Sequence, residues 1–91
     1  MRTTTLVICA ALLMPALARA APKCTAEPKD KWMSEAAMRS KAAEAGYERI
    51  KTFRVSGECY EIYGYTKDGA KAEVYFDPVS GDVVKANIGS L

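Results

Sequence analysis

The stretch from Tyr60 to Phe76 constrains the fold most, because only one pairing of its two halves separates apolar from polar side chains. If residues 67–69 form a three-residue loop with Gly69 in the left-handed conformation, Tyr60 lies opposite Phe76. A two-residue turn would mix the two faces. Because one face of a small sheet must be buried, the sequence predicts the first register. The polar face then pairs Glu61 with Tyr75, Tyr63 with Glu73, and Tyr65 with Lys71.

A second closely specified turn follows this hairpin in "YFDPVSGDVVK". Pro78 fixes φ at the first corner of the turn, and the Asp77 carboxylate can accept hydrogen bonds from the amides ahead of it. Gly81 supplies the left-handed residue that returns the chain. The resulting four-residue loop is expected to place Phe76 opposite Val83. The need to fix the register of the two strands explains why this turn is so closely specified. A catalytic or ligand-binding role is not needed to explain it.

The segment "ERIKTFRV" before the hairpin is predicted to form a further strand. A two-residue Ser56-Gly57 turn is expected to join it to the hairpin and to place Phe53 opposite Tyr60. The strands therefore follow one another as an antiparallel meander of three or four members.

A helix is predicted immediately before the strands. The Ser34 hydroxyl can accept from a free amide of the first turn, and Gly46 is a typical C′ glycine. Met38 and Ala42 lie on one stripe, which suits close packing against a sheet. The sequence thus predicts the α+β class, with one N-terminal helix packed on a three- to four-stranded antiparallel meander and one disulfide.

The first 20 residues have the pattern of a cleaved signal peptide. Arg2 precedes the apolar stretch 6–17, which is too short to span a bilayer as a helix. Ala18 and Ala20 form the small-x-small pattern of a signal peptidase site. The predicted organisation is signal peptide 1–20, irregular leader 21–33, folded domain 34–86 and tail 87–91. The protein is accordingly expected in the periplasm or secreted.

Cleavage changes both the charge and the cysteine count. Of 13 basic residues it removes Arg2 and Arg19, and it removes no acid, so the mature chain has 11 basic and 11 acidic residues. A neutral exported domain is a poor candidate for nucleic-acid binding. Cys9 leaves with the signal peptide, and the remaining pair, Cys24 and Cys59, is predicted to form a disulfide.

The segments "SEAAMRSKAAEAGY", "CYEIYGYTKDGAKAEVYFDP" and "DPVSGDVVK", in this order and spacing, resemble the PepSY domain family, in particular its small exported single-domain members. The resemblance covers about residues 31–86. It implies a helix packed on an antiparallel sheet and a non-enzymatic role. PepSY domains occur in propeptides of thermolysin-type metallopeptidases and in membrane-anchored regulatory proteins, and an inhibitory or binding role toward peptidases has been proposed for them. The resemblance offers no catalytic motif.

The residue types themselves argue against catalysis. The chain has no histidine, so it has no imidazole base and no histidine metal site. Two cysteines far apart in sequence are not a C-x-x-C redox motif, and they would make a poor zinc site, which usually has four ligands. The sequence therefore predicts no enzyme, no cofactor and no metal. Structural turns are assigned to Gly46, Gly69, Asp77, Pro78 and Gly81.

The surface that the sequence favours for a partner is the sheet face opposite the helix, because tyrosine combines apolar area with a polar tip and is enriched at interfaces. Two alternatives remain open. The leader, held by Cys24 and Cys59, lays Trp32 or its prolines on this face, or the side chains form ordinary cross-strand pairs on an open sheet. The predicted partner face consists of Ile50, Tyr63, Tyr65, Tyr75 and Val84, with Arg54, Glu61, Lys71 and Glu73 among them.

The function predicted from the sequence is that of a monomeric, exported, non-catalytic module that binds and regulates another protein. A peptidase or an envelope membrane protein is the family-level expectation for the partner, and the protein should not span the membrane after cleavage. Recognition by the tyrosine-bearing face or by strand addition to a sheet edge are the two mechanisms considered. The alternative function is a periplasmic accessory that carries a small ligand or metal ion for a membrane redox protein.

Overall fold

The computed structural model describes residues 21–89. The predicted signal peptide, with its cleavage residues Ala18 and Ala20, lies outside the described residues. The four strands form one antiparallel sheet in the order β1-β2-β3-β4, and one helix precedes them in the chain, so the α+β class is confirmed. The elements are α1 (Glu35–Glu44), β1 (Arg49–Ser56), β2 (Cys59–Tyr65), β3 (Lys71–Phe76) and β4 (Val83–Ile88).

Helix α1 has the ends that its sequence requires. The Ser34 hydroxyl accepts a hydrogen bond from the Ala37 amide at 3.1 Å, which satisfies one free donor of the first turn. At the other end Gly46 has a φ of 102°, and the Tyr47 amide donates to the Ala42 carbonyl at 2.9 Å. The face between these ends buries Met38 and Ala42 completely against the sheet.

The central hairpin has the predicted register. Strand β2 pairs with β3 so that Tyr60 lies opposite Phe76 and Glu61 lies opposite Tyr75. Gly69 has a φ of 90°, which the three-residue loop needs and which side-chain-bearing residues rarely adopt. The helix-facing side of this hairpin forms the core, and its buried members are Tyr60, Ile62, Ala72, Val74 and Phe76.

The turn between β1 and β2 is displaced by one residue from the prediction. Ser56 lies opposite Cys59, so residues 57–58 form the turn, and Phe53 lies opposite Ile62 rather than opposite Tyr60. Because Gly57 has a φ of 60°, it takes the first of the two turn positions. Moving the turn by one residue changes the residue opposite Phe53 by two, from Tyr60 to Ile62. Because side chains alternate with a period of two, Phe53 still faces the helix. Its ring packs beside the Tyr60 ring, with the centroids 5.0 Å apart.

The turn between β3 and β4 is built around Asp77. Its Oδ1 accepts hydrogen bonds from the Val79 amide at 2.8 Å and the Ser80 amide at 3.2 Å. The Gly81 amide donates to the Asp77 carbonyl at 2.7 Å. Phe76 lies opposite Val83, as the loop length predicts. Strand β4 then continues to Ile88, two residues into the segment predicted as a tail.

The leader wraps around one end of the sheet. The disulfide between Cys24 and Cys59 is confirmed, and it holds the start of the leader on the side away from α1. The chain then passes the last turn, where the Met33 amide donates to the Pro78 carbonyl at 2.9 Å. Apart from the 3-10 turn Lys29–Lys31, residues 21–33 form no helix or strand.

Candidate interaction surface

Within residues 21–89 the sheet has a helix on one side only, and we call the other side the open face. Tyr63, Tyr65 and Tyr75 all lie on it, because they alternate with the core residues of β2 and β3. Val84 is the extra residue of a β-bulge in β4. As a result Lys85, and not Val84, lies opposite Tyr75. The Val84 side chain is exposed at the sheet edge.

Ile50 does not belong to the open face. A bulge between Ile50 and Thr52 reverses the alternation of β1, so that Ile50 lies opposite Gly64 and packs against the core on the helix side. Strict alternation places Ile50 on the open face, and this prediction is wrong because the bulge inserts one extra residue, Lys51, into β1. The bulge accounts for the spacing of the two apolar residues of β1 that pack against the core, Ile50 and Phe53, which two polar residues separate.

The leader covers one end of the open face. Ala21 and Cys24 pack with Cys59 and Tyr75, and Tyr75 is only 4% exposed as a result. Trp32 lies on the other side of the sheet, where its ring packs edge-on against Tyr60 with the centroids 5.3 Å apart. Of the two alternatives for this face, coverage by the leader therefore holds at the disulfide end, through residues 21–24 and not through Trp32.

Buried carboxylates occupy the middle of the open face. Glu73 is 6% exposed and accepts hydrogen bonds from the hydroxyls of Tyr63 and Tyr75, both at 2.9 Å. Its other oxygen accepts from the Asn87 side-chain amide at 3.0 Å. Both tyrosine hydroxyls thus donate their proton within the domain, to the same carboxylate.

The surroundings shift the pKa of each of these groups. Burial by itself raises the pKa of Glu73, but the hydrogen bonds donated by Asn87, Tyr63 and Tyr75 outweigh burial and lower it to about 2. Burial and the hydrogen bond to Glu73 raise the pKa of Tyr75. The hydrogen bond that Tyr63 itself donates to Glu73, and after it burial, raises the pKa of Tyr63. The arrangement therefore favours an ionised Glu73 between two neutral tyrosines.

Glu61 is the second buried carboxylate, and it is completely buried. Arg54 donates from Nε to Glu61 Oε1 at 2.9 Å, and this contact raises the pKa of the guanidinium. The other oxygen, Oε2, has no donor within hydrogen-bond distance among residues 21–89.

A groove lies at the end of the open face that is far from the disulfide. Its volume is about 450 Å³, and Tyr63 and Tyr65 form its walls above the backbone of Gly64. The Arg49 guanidinium stacks over the Tyr65 ring at 5.2 Å from the centroid. Lys51 enters this groove only because of the bulge, so alternation alone could not have placed it there. The lining is completed by Lys51, Thr52, Lys71 and Ala72.

The described residues offer little for catalysis or metal binding. Within residues 21–89 no group of three or more histidine, cysteine or acidic side chains could hold a metal ion. Asp77 is engaged in capping its own turn, and both cysteines are in the disulfide. No helix in that same range is long and apolar enough to cross a membrane. The open face is thus the feature with the most distinctive chemistry.

Comparison with known families agrees with this architecture. Residues 4–87 match the family PepSY_2, described as "Peptidase propeptide and YPEB domain". The chain belongs to the PepSY_2 family. PepSY domains are generally non-catalytic, propeptide-like modules. No curated protein and no solved structure matches this PepSY_2 chain significantly.

Proposed function

We propose that the protein is an exported, monomeric, non-catalytic binding module that recognises another protein through the open face of its sheet. A peptidase is the proposed class of partner. The proposal rests on the PepSY_2 family, whose description names peptidase propeptides. Export is supported by the disulfide, because such bonds persist in oxidising compartments.

The observation that carries the binding role is the uncovered end of the open face. The leader covers the end near Cys59, whereas Tyr65 at the other end is only half-buried and has a guanidinium stacked on its ring. Rings of this kind, placed beside cationic groups, are frequent at protein interfaces. Tyr75 contributes to the fold instead, because it is buried and bonded to Glu73.

Strand addition to β4 is the second way in which this module can bind a partner. Strand β4 is an edge strand, and Val83, Val84 and Ile88 expose their side chains. Edge strands commonly carry charges that discourage pairing, and Lys85 is the single charged residue of β4. Strand β1, at the other edge, carries three basic residues and a bulge, so it is the better protected of the two.

The proposed function is tested by capture of peptidase activity. The exported protein is immobilised, incubated with envelope extract from the producing cells, washed, and assayed on a casein gel with and without a metal chelator. We expect the wild type to retain a peptidase band. Tyr65→Ser should lose it, whereas Val55→Ser, which removes an exposed side chain from the helix-facing side, should keep it.

Each remaining outcome of the capture assay has a defined meaning. Absence of peptidase activity with the wild type contradicts the proposed class of partner. Full capture by Tyr65→Ser contradicts the open face as the site. Loss of capture in Val84→Lys alone assigns recognition to the β4 edge, because a charge there opposes strand addition.

A further inference from the structure

The open face presents charge of one sign to the solvent. The four strands contain two acidic residues, Glu61 and Glu73, which are 0% and 6% exposed. They also contain five basic residues, and all of these are exposed, namely Arg49, Lys51, Arg54, Lys71 and Lys85. A domain with balanced overall charge therefore has one markedly cationic surface.

The cations at the groove have no acidic partner of their own. Arg54 is paired with Glu61, but neither Lys51 nor Lys71 makes an ion pair within residues 21–89. Both lysines line the groove, one from β1 and one from β3. Because these strands are separated by β2, their backbones lie about 10 Å apart. The groove is thus bounded by two unpaired positive charges.

The walls between these charges suit a polypeptide. Tyr63 and Tyr65 belong to β2, which lies between the strands of the two lysines, and Thr52 also lines the groove. Tyrosine rings can pack on a peptide backbone and on apolar side chains. In an extended segment of the polyproline II type, which has three residues per turn, residues three apart point to the same side and are separated by about 9 Å, close to the distance between the two strands.

We propose that this groove binds an extended acidic segment of the partner protein, with Lys51 and Lys71 each pairing with one carboxylate and the tyrosine rings packing against the residues between. The inference rests on the proposed function and names the chemistry that the partner must offer. Burial of Glu61 and Glu73 is essential to it, because exposed acids at these positions would neutralise the lysines.

A membrane surface fits the groove less well than a peptide does. Peripheral membrane binding needs exposed apolar side chains beside the cations. The exposed Val83 and Ile88 lie opposite Phe76 and Ala72, which are core residues of the helix-facing side. A concave groove also cannot meet a flat bilayer along its whole length. Anionic lipid and single-stranded DNA are nevertheless included below as competing ligands.

The inference is tested with a defined peptide by fluorescence anisotropy. The probe is a fluorescein-labelled decapeptide of serine and valine that carries two glutamates separated by two residues. Its comparator has glutamine at both positions. We expect the disulfide-bonded protein to bind the glutamate peptide about tenfold more tightly. Raising the salt from about 0.05 M to about 0.3 M should weaken this binding.

Matched variants locate the binding. Lys51→Gln combined with Lys71→Gln should lower affinity for the glutamate peptide about tenfold. Lys31→Gln combined with Lys41→Gln makes the same change in net charge outside the groove and should leave affinity within about twofold. Circular dichroism and urea unfolding of the wild type and both double variants check that the substitutions leave the fold intact.

Several results would overturn the inference. These are equal binding of the glutamine peptide, unchanged affinity in the groove variant, and equal losses in both double variants. Tighter, groove-dependent binding of phosphatidylserine vesicles or of a thymidine oligonucleotide would assign a different ligand. If peptidase capture persists while the peptide fails to bind, the proposed function stands and only this inference falls. If the peptide binds but no peptidase is captured, the groove stands and the class of partner falls.

Discussion

At the scale of single residues, Glu73 determines how the open face is organised. One carboxylate accepts hydrogen bonds from two tyrosine hydroxyls and from Asn87. The sequence could not show this, because Tyr–Glu alternation on neighbouring strands equally fits an exposed set of cross-strand pairs. The alternation of residues does not show that these side chains are buried. Tyr75 is buried because the leader packs over it.

Glu73 makes stability depend on pH in the acidic range. Its pKa lies at about 2 in the folded state, below the usual 4.5. Because the folded pKa is depressed, the stabilisation is complete above the unfolded pKa and is lost as pH falls through the folded one. We expect the urea midpoint of the wild type to decline steadily from about pH 4.5 to about pH 2.

The variant Glu73→Gln removes this titration. Its midpoint should be lower than that of the wild type at neutral pH and should change less across the acidic window. Asp68→Asn, in the exposed β2–β3 turn, is the control and should keep the wild-type pH profile. An identical acid slope in Glu73→Gln and in the wild type would assign the pH dependence to other carboxyl groups.

At the scale of elements, the hairpin of β2 and β3 was predictable and the bulges were not. Its register followed from alternation and from Gly69, because only one pairing separates the faces. The bulge of β1 depends on a close backbone approach at Gly64, which is a tertiary contact. Because alternation alone does not predict the bulge, it assigned Ile50 to the open face instead of the helix side. It also gave no reason to place Lys51 beside Tyr63 and Tyr65.

Gly64→Ala should destabilise the protein through the bulge. A Cβ at this position would collide with the carbonyl oxygen of Arg49 and lie 3.0 Å from Cα of Ile50, so the backbone of β1 would have to move. We expect a loss of about 2 kcal/mol in the free energy of unfolding. Thr52→Ala, at an exposed position of β1 beside the bulge, should change it by less than about 0.5 kcal/mol. Equal stability of Gly64→Ala and wild type would contradict this contact.

The disulfide should contribute much of the stability of the domain. It joins the leader to β2 across a sequence separation of 35 residues, and the loop-entropy relation gives about 3.5–4 kcal/mol for such a span. The double variant Cys24→Ala, Cys59→Ala should lose this amount in urea unfolding. Because the leader also covers Tyr75, the variant should expose that tyrosine to solvent quenching. A loss below about 1 kcal/mol would show that the leader stays docked without the bond.

At the scale of the whole molecule, the two sides of the sheet differ in composition and burial. The helix side holds the apolar core, and the open face holds buried acids beneath exposed cations. The family and the general layout followed from the order of the turns and from the cysteine pair. Which tyrosines are free could not be read from the sequence, because it depends on where residues 21–24 lie.

Site-specific photocrosslinking in living cells tests the central claim most directly. A benzophenone amino acid replaces Tyr65 on the open face or, as a control, Ser40 on the exposed surface of α1, and adducts are identified by mass spectrometry. We expect one discrete protein adduct at position 65, identified as a peptidase, and none at position 40. An adduct at position 40 alone, or none at either position, would contradict recognition through the open face.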